Sequence, residues 1–133
     1  MNGLLSVVIP CRNEADNLPI LLSRLHAALV DELFEIVVVD DGSADSTLAL
    51  LREAARSDPR VRYVALSRGF GKESALLAGL REARGDVIVI MDGDLQHPPE
   101  VVPSLVDLLR TSGCDQVVGV RDRSGETRFR RFV

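Results

Sequence analysis

Five short runs rich in valine and isoleucine constrain this chain more than any other feature. They are Leu4 to Ile9, Phe34 to Val39, Val61 to Leu66, Asp86 to Met91 and Gln116 to Val120. Several are apolar at consecutive positions, which suits strands buried between two helix layers rather than strands with one wet face. Between them Leu18, Leu21, Leu22, Leu25 and Leu29 recur at helical spacing, as do Val102, Leu105, Val106 and Leu109. These are core stripes. Ser43 and Asp45 mark the start of the Leu48/Leu51 helix, and Pro98, Pro99 and Glu100 open the fourth. Gly85 and Gly113 are expected to close helices three and four. The order βαβαβαβαβ predicts an α/β, doubly wound, mainly parallel sheet, because right-handed crossovers put helices on both faces.

The chain has 133 residues, 46% of them hydrophobic, enough for one core without disulfides or a structural metal and too few for two domains. A formal charge of −4 argues against a nucleic-acid partner, which demands a basic footprint. The balance is uneven: residues 121 to 133 carry five arginines and two acids, net +3, leaving −7 on residues 1 to 120. Cys11 and Cys114 stand in no metal-binding or redox spacing and read as ordinary reduced thiols of a cytoplasmic protein. The N-terminus has no basic region and no cleavage signal, and the longest apolar runs fall far short of the roughly 18 to 20 residues that span a bilayer. His26 reads as an exposed helix residue without a role.

In a doubly wound sheet, ligands bind beyond the carboxyl ends of the strands. Each of the first four strands delivers polar residues there: Pro10-Cys11-Arg12-Asn13-Glu14, Asp40-Asp41-Gly42-Ser43, Ser67 to Glu73, and Asp92 to His97. Asp92-Gly93-Asp94 can turn two carboxylates toward one point, with a glycine permitting close approach. A hard divalent cation, Mg²⁺ or Mn²⁺, is the natural occupant, since it takes oxygen ligands and shares its shell with substrate phosphates. Gln96 and His97 are further candidates. The competing reading makes these aspartates ordinary turn residues. Asp40 and Asp41 fit ribose hydroxyls or base N–H groups, but Asp41 or Ser43 equally fits a helix cap. Glu14 equally fits a first-turn acid. Gly69-Phe70-Gly71-Lys72 completes neither a dinucleotide fingerprint nor a Walker A loop. It presents Arg68 and Lys72 to an acidic rim, either to orient a diphosphate or to neutralise carboxylates.

Together, Val8-Ile9-Pro10 with Asn13-Glu14, Val37 to Thr47, and Gly85-Asp86 through Met91-Asp92-Gly93-Asp94-Leu95-Gln96-His97-Pro98-Pro99-Glu100 resemble the family 2 glycosyltransferases of GT-A, Rossmann-like fold. The similarity is strongest to the polyprenyl-phosphate sugar transferases, such as dolichol-phosphate mannose synthase and the bacterial undecaprenyl-phosphate enzymes. Ser67 to Ala75 and Gly119 to Glu126 resemble the bacterial branch in particular. The resemblance implies that Pro10, Glu14 and Asp41 hold base and ribose. It implies that Asp92 and Asp94 are the catalytic pair at metal and nucleotide, that Gln96 is a further metal contact, and that Lys72 and Arg121 lie near the diphosphate. It implies a nucleotide-sugar donor, UDP-linked in this branch, a polyprenyl-phosphate acceptor, an Mg²⁺ or Mn²⁺ cofactor and a place at the cytoplasmic face of the membrane, in cell-envelope chemistry.

Gly93 departs from the alanine common in the family. Members also continue beyond the position of Val133, so the chain is expected to be the donor-binding part of a longer, truncated enzyme. Residues 1–120 would form the nucleotide-sugar domain and 121–133 a basic segment leading to the acceptor half, here a solvated terminus. Apolar surface facing the acceptor half is expected to drive self-association into a homo-oligomer. Three other readings compete. A phospho-accepting receiver domain would need its acid pair after strand one and a lysine after strand five. A sugar-phosphate nucleotidyltransferase would need a glycine-rich loop after strand one. A non-catalytic nucleotide-sugar-binding remnant has the same motifs as an enzyme and is separated from it only by turnover.

Overall fold

The computed structural model describes residues 3–121 and 127–132, with side chains as far as Gly119. In chain order the elements are β1 (Leu5–Cys11), α1 (Leu18–Ala28), β2 (Phe34–Asp40), α2 (Thr47–Ser57), β3 (Val61–Ala65), α3 (Lys72–Glu82), β4 (Val87–Ile90), a 3-10 turn (Pro99–Val101), α4 (Val102–Ser112), β5 (Gln116–Arg121) and β6 (Thr127–Phe132). Strands one to four form a parallel sheet in the order β3-β2-β1-β4.

The most continuously apolar runs became the central strands, β1 and β2, in which all seven positions are buried. Alternation decides which helix each position meets. Leu5, Val7, Ile9 and Cys11 join Phe34, Ile36 and Val38 beneath Leu18, Leu21 and Leu25 of α1, Leu51 of α2, and Val102 and Val106 of α4. On the opposite face α3 lies so close that a methyl on Gly79 would stand 2.5 Å from Val8 Cγ1 and 3.0 Å from Val39 Cγ2. The sheet is therefore wound on both sides, with three helices on one face and α3 on the other.

Two polar residues of these central strands are paired within the core. Ser6 Oγ donates to Glu35 Oε1 at 2.8 Å, and Glu35 also accepts from the Arg84 N–H at 2.7 Å and from Arg62 Nη1 at 3.0 Å. Burial pushes the Glu35 carboxyl up, but these donors outweigh it and hold the group below its ordinary value. This network fastens the entry of β4 to the amino ends of β1 and β2.

Five expectations need correction. β5 does not extend the parallel sheet; it pairs antiparallel with β6 in a separate hairpin. The segment expected to be a solvated terminus supplies β6, which pairs with β5 from Thr127 to Phe132. β4 is consequently an edge, and Ile88 and Ile90 remain 40% and 50% exposed on the α3 side, where α3 packs mainly over β1 and β2. Gly85 does not stop α3, which ends at Glu82. Its N–H donates to Ser6 Oγ, and a Cβ there would strike the backbone of Leu4 and Ser6. His26 is half-buried: its ring meets Phe34 edge-on, and its nitrogens lie 2.6 Å from Leu22 O and 2.6 Å from Asp58 Oδ2. Gly113 does close α4, in the left-handed conformation.

Candidate functional site

The winding of the sheet reverses at β1. The chain steps from β1 to β2 and β3 on one side, and α3 then returns it to β4 on the other. A crevice beyond the strand ends forms at such a reversal. The structure has there a cleft of about 350 Å³, walled by Pro10, Arg12 and Glu14 at the end of β1 and beyond it and by Asp92, Gly93 and Asp94 after β4. Asp41, Gly71 and Lys72 close its sides, over Cys11 and Ala75. The two strand exits pack tightly, since a methyl on Gly93 would lie 3.1 Å from Cys11 Cβ and 3.4 Å from Glu14 Cγ. Glycine is the residue this contact accommodates most easily.

The β1 exit is held by the β2 exit. Asn13 turns at φ 54°; its N–H donates to Ser43 Oγ at 2.9 Å and its side-chain oxygen accepts from the Ala44 N–H at 2.8 Å. The Glu14 N–H donates to Thr47 Oγ1 at 3.0 Å. Glu14 lies ahead of α1, which has no acid in its first turn, and its carboxylate accepts from Asn17 Nδ2 at 2.9 Å. Neither Asp41 nor Ser43 caps α2: the Thr47 N–H is taken by Asp45 Oδ1 at 3.0 Å.

Asp41 is 5% exposed and reaches across to the segment after β3. Its Oδ1 accepts from the Phe70 N–H at 2.8 Å and its Oδ2 from the Gly71 N–H at 3.1 Å. Lys72 begins α3 directly after this turn, and its Nζ lies 2.5 Å from Asp92 Oδ1. Asp94 Oδ1 accepts from the Gln96 N–H at 3.0 Å. Cys11, beneath the acids, has its thiol pushed up to about 12 by burial and then by the charges of Asp40, Glu14, Asp45 and Asp41. It is a neutral floor residue.

Of the residues singled out from the sequence, Pro10, Glu14, Asp41, Lys72, Asp92 and Asp94 line this one cleft. Gln96 is not brought there. It lines a second, largely apolar slot of about 540 Å³ between the free edge of β4, α4 and β5. The Arg121 side chain lies outside the described residues. Sequence reasoning missed Arg12, which lines the cleft and whose Nη1 would stand 2.9 Å from a methyl on Gly69. Its signal was a lone cation directly after β1 in an acidic rim.

Among the described residues no group of three or more His, Cys, Asp or Glu side chains stands ready to hold a metal unaided. The pair Asp92 and Asp94, on one turn, fits a hard cation that completes its shell with substrate oxygens and water. Among the described residues no helix is long and apolar enough to cross a membrane.

The family described as Glycosyl transferase family 2 matches residues 6–132. An undecaprenyl-phosphate 4-deoxy-4-formamido-L-arabinose transferase of Pectobacterium carotovorum is 44% identical over 132 residues, spanning 96% of this chain and 40% of that protein. The chain thus covers about 40% of the curated relatives' length. A mannosyltransferase of Pyrobaculum calidifontis, solved with GDP-Man and Mn²⁺, superposes with a TM-score of 0.75 at 26% identity, covering 92% of this chain and 36% of that one. Glucosyl-3-phosphoglycerate synthase of Mycobacterium tuberculosis, solved with Mn²⁺, UDP and phosphoglyceric acid, gives 0.66 at 30% identity, covering 86% and 42%.

Proposed function

Because the chain belongs to glycosyl transferase family 2, we propose that its acidic cleft binds the nucleotide-sugar donor of a polyprenyl-phosphate sugar transferase, with UDP preferred and Mg²⁺ or Mn²⁺ assisting. The observation that carries this reading is the convergence of Pro10, Glu14, Asp41, Lys72, Asp92 and Asp94 on one cleft at the reversal of the sheet. Pro10, Glu14 and Asp41 form the nucleoside end. Lys72, Asp92 and Asp94 form the diphosphate end, where the two carboxylates would hold the cation. When bound, that cation would neutralise charge on the diphosphate leaving group. Arg121 is proposed as a second cation for the diphosphate. Gln96 stays a proposed contact only if the Asp94 turn rearranges, because its side chain lines the neighbouring slot.

The chemistry asks little else of the protein. A phosphate monoester has its second pKa near ~6, so the acceptor is already largely an anionic nucleophile at neutral pH. The chain's own residues then contribute by positioning the donor and stabilising the departing diphosphate. Attack opposite that leaving group inverts the anomeric centre. The relatives' names specify undecaprenyl phosphate, which supports a lipid-phosphate acceptor; the cytoplasmic face of the membrane is proposed as the place of transfer. With about 40% of the relatives' length, the chain is proposed to bind donor and transfer poorly.

Thermal unfolding tests the binding step. A ligand at about 100 times its Kd stabilises the native state by about 2.7 kcal/mol, so UDP with Mn²⁺ should raise the midpoint by several degrees. An unchanged midpoint with UDP and with GDP, each with Mn²⁺ present, overturns the reading. Robust sugar transfer by these 133 residues would contradict the division of labour, and a product of retained configuration would remove the inverting step.

A further inference from the structure

The nucleoside and diphosphate ends of the cleft are joined by a short chain of contacts. Asp41 grips the N–H groups of Phe70 and Gly71 with both carboxylate oxygens. The next residue is Lys72, whose Nζ rests on Asp92. Among the described residues little else holds this turn. Phe70 is 48% exposed and Arg68 stacks on its ring, 4.8 Å from the centroid. Gly71 adopts φ 102°, ψ 160°, a conformation essentially reserved for glycine, and a side chain there would meet nothing within 4 Å. From below, Gly42 abuts Gly69 so closely that a methyl on it would stand 2.4 Å from the Gly69 nitrogen. Among the described residues, the Asp41 carboxylate is the only side chain that hydrogen-bonds to the Phe70 and Gly71 amides.

We propose that Asp41 is a positioning residue for Lys72: its carboxylate locks the 70–71 turn and thereby aims the ammonium at the diphosphate end of the site. This rests on the donor-binding reading above and extends it, since Asp41 would act on the phosphates through Lys72 as well as face the nucleoside. Asparagine cannot replace it. One amide oxygen can accept one of the two N–H groups, but the amide NH₂ then opposes the other, donor against donor. The turn is released while the fold of α3 and the sheet is kept.

The test is UDP affinity, by calorimetry with Mn²⁺, for the unmodified chain, Asp41→Asn, Lys72→Ala and the double variant, each with its circular dichroism recorded. Asp41→Asn should weaken UDP about tenfold, the loss expected for one charge-assisted hydrogen bond. In the Lys72→Ala background it should cost clearly less, about twofold to threefold, because the part that runs through Lys72 is gone and only the nucleoside contact remains. Gly71→Ala, which disturbs the turn and leaves the carboxylate intact, should follow the same pattern and carries the test if Asp41→Asn fails to fold. The same factor in both backgrounds, or binding lost only in the double variant, overturns the proposal and leaves Asp41 as a direct nucleoside contact. Failure of the unmodified chain to bind UDP would instead remove the reading beneath it.

Discussion

Gly42 joins the second strand exit to the turn that carries Lys72, and its substitution by alanine separates two physical costs. Gly42 has φ 72°, and an L side chain in the left-handed region costs about 1 to 2 kcal/mol. Its methyl would also stand 2.4 Å from Gly69 N and 2.5 Å from Arg68 C, both backbone atoms that no rotamer can move aside. Overpacking of this kind costs about 1 to 3 kcal/mol, so Gly42→Ala should lose about 2 to 5 kcal/mol in all. Gly113 is the control, with φ 68° and nothing within 4 Å of a methyl. Gly113→Ala should lose only the conformational part, about 1 to 2 kcal/mol. Urea denaturation of both variants, analysed as two-state unfolding, gives the difference directly. Equal losses would refute the claim that the β2 exit and the Lys72 turn are in backbone contact.

Three further predictions follow from other parts of the molecule. The Glu35 and Asp58 carboxyls both lie below their ordinary values, Glu35 through the donors described above and Asp58 through Arg60 first and His26 after. A depressed carboxyl stabilises the fold above its unfolded value and ceases to do so as pH falls toward its folded one. Stability measured by urea should therefore fall steadily below about pH 4.5, and Glu35→Gln should flatten that acid limb; an unchanged limb would contradict the assignment. With its thiol pushed up to about 12, Cys11 should resist alkylation by iodoacetamide at pH 8 in the folded chain, and rapid labelling would refute its neutral, buried state. The bare edge of β4 should make the chain self-associate. Ile88→Lys with Ile90→Lys should shift sedimentation to the monomer, and a chain already monomeric at high concentration would refute this.

How much of this was legible in the sequence depends on how local the cause was. β1 and β2 could be read because their residues are apolar at nearly every position, and α1 because five leucines share one face. Pro10, Glu14, Asp41, Lys72, Asp92 and Asp94 could be placed on one rim because each ends or follows a strand, and a parallel sheet brings all its carboxyl ends together. The exposure of Ile88 and Ile90 was hidden, because Val87 to Ile90 has the composition of a buried strand and only the sheet order makes it an edge. The β5–β6 pairing was hidden because the arginines of β6 give that segment the charge of a solvated tail and its two phenylalanines, three residues apart, show no strand period. The grip of Asp41 on Phe70 and Gly71 joins residues 29 and 30 positions apart; it depends on how two loops meet after folding. His26 similarly owes its partners to Phe34 and Asp58, which lie on other elements.

The rim at the sheet's reversal is proposed to be a metal-assisted nucleotide site. Calorimetric titration of UDP into the chain, with and without Mn²⁺ and repeated on Asp94→Ala, tests it most directly. Binding should require both the ion and the Asp94 carboxylate, with GDP weaker than UDP. Binding of equal strength without Mn²⁺ or with Asp94→Ala, or no binding by a chain shown to be folded, would contradict it.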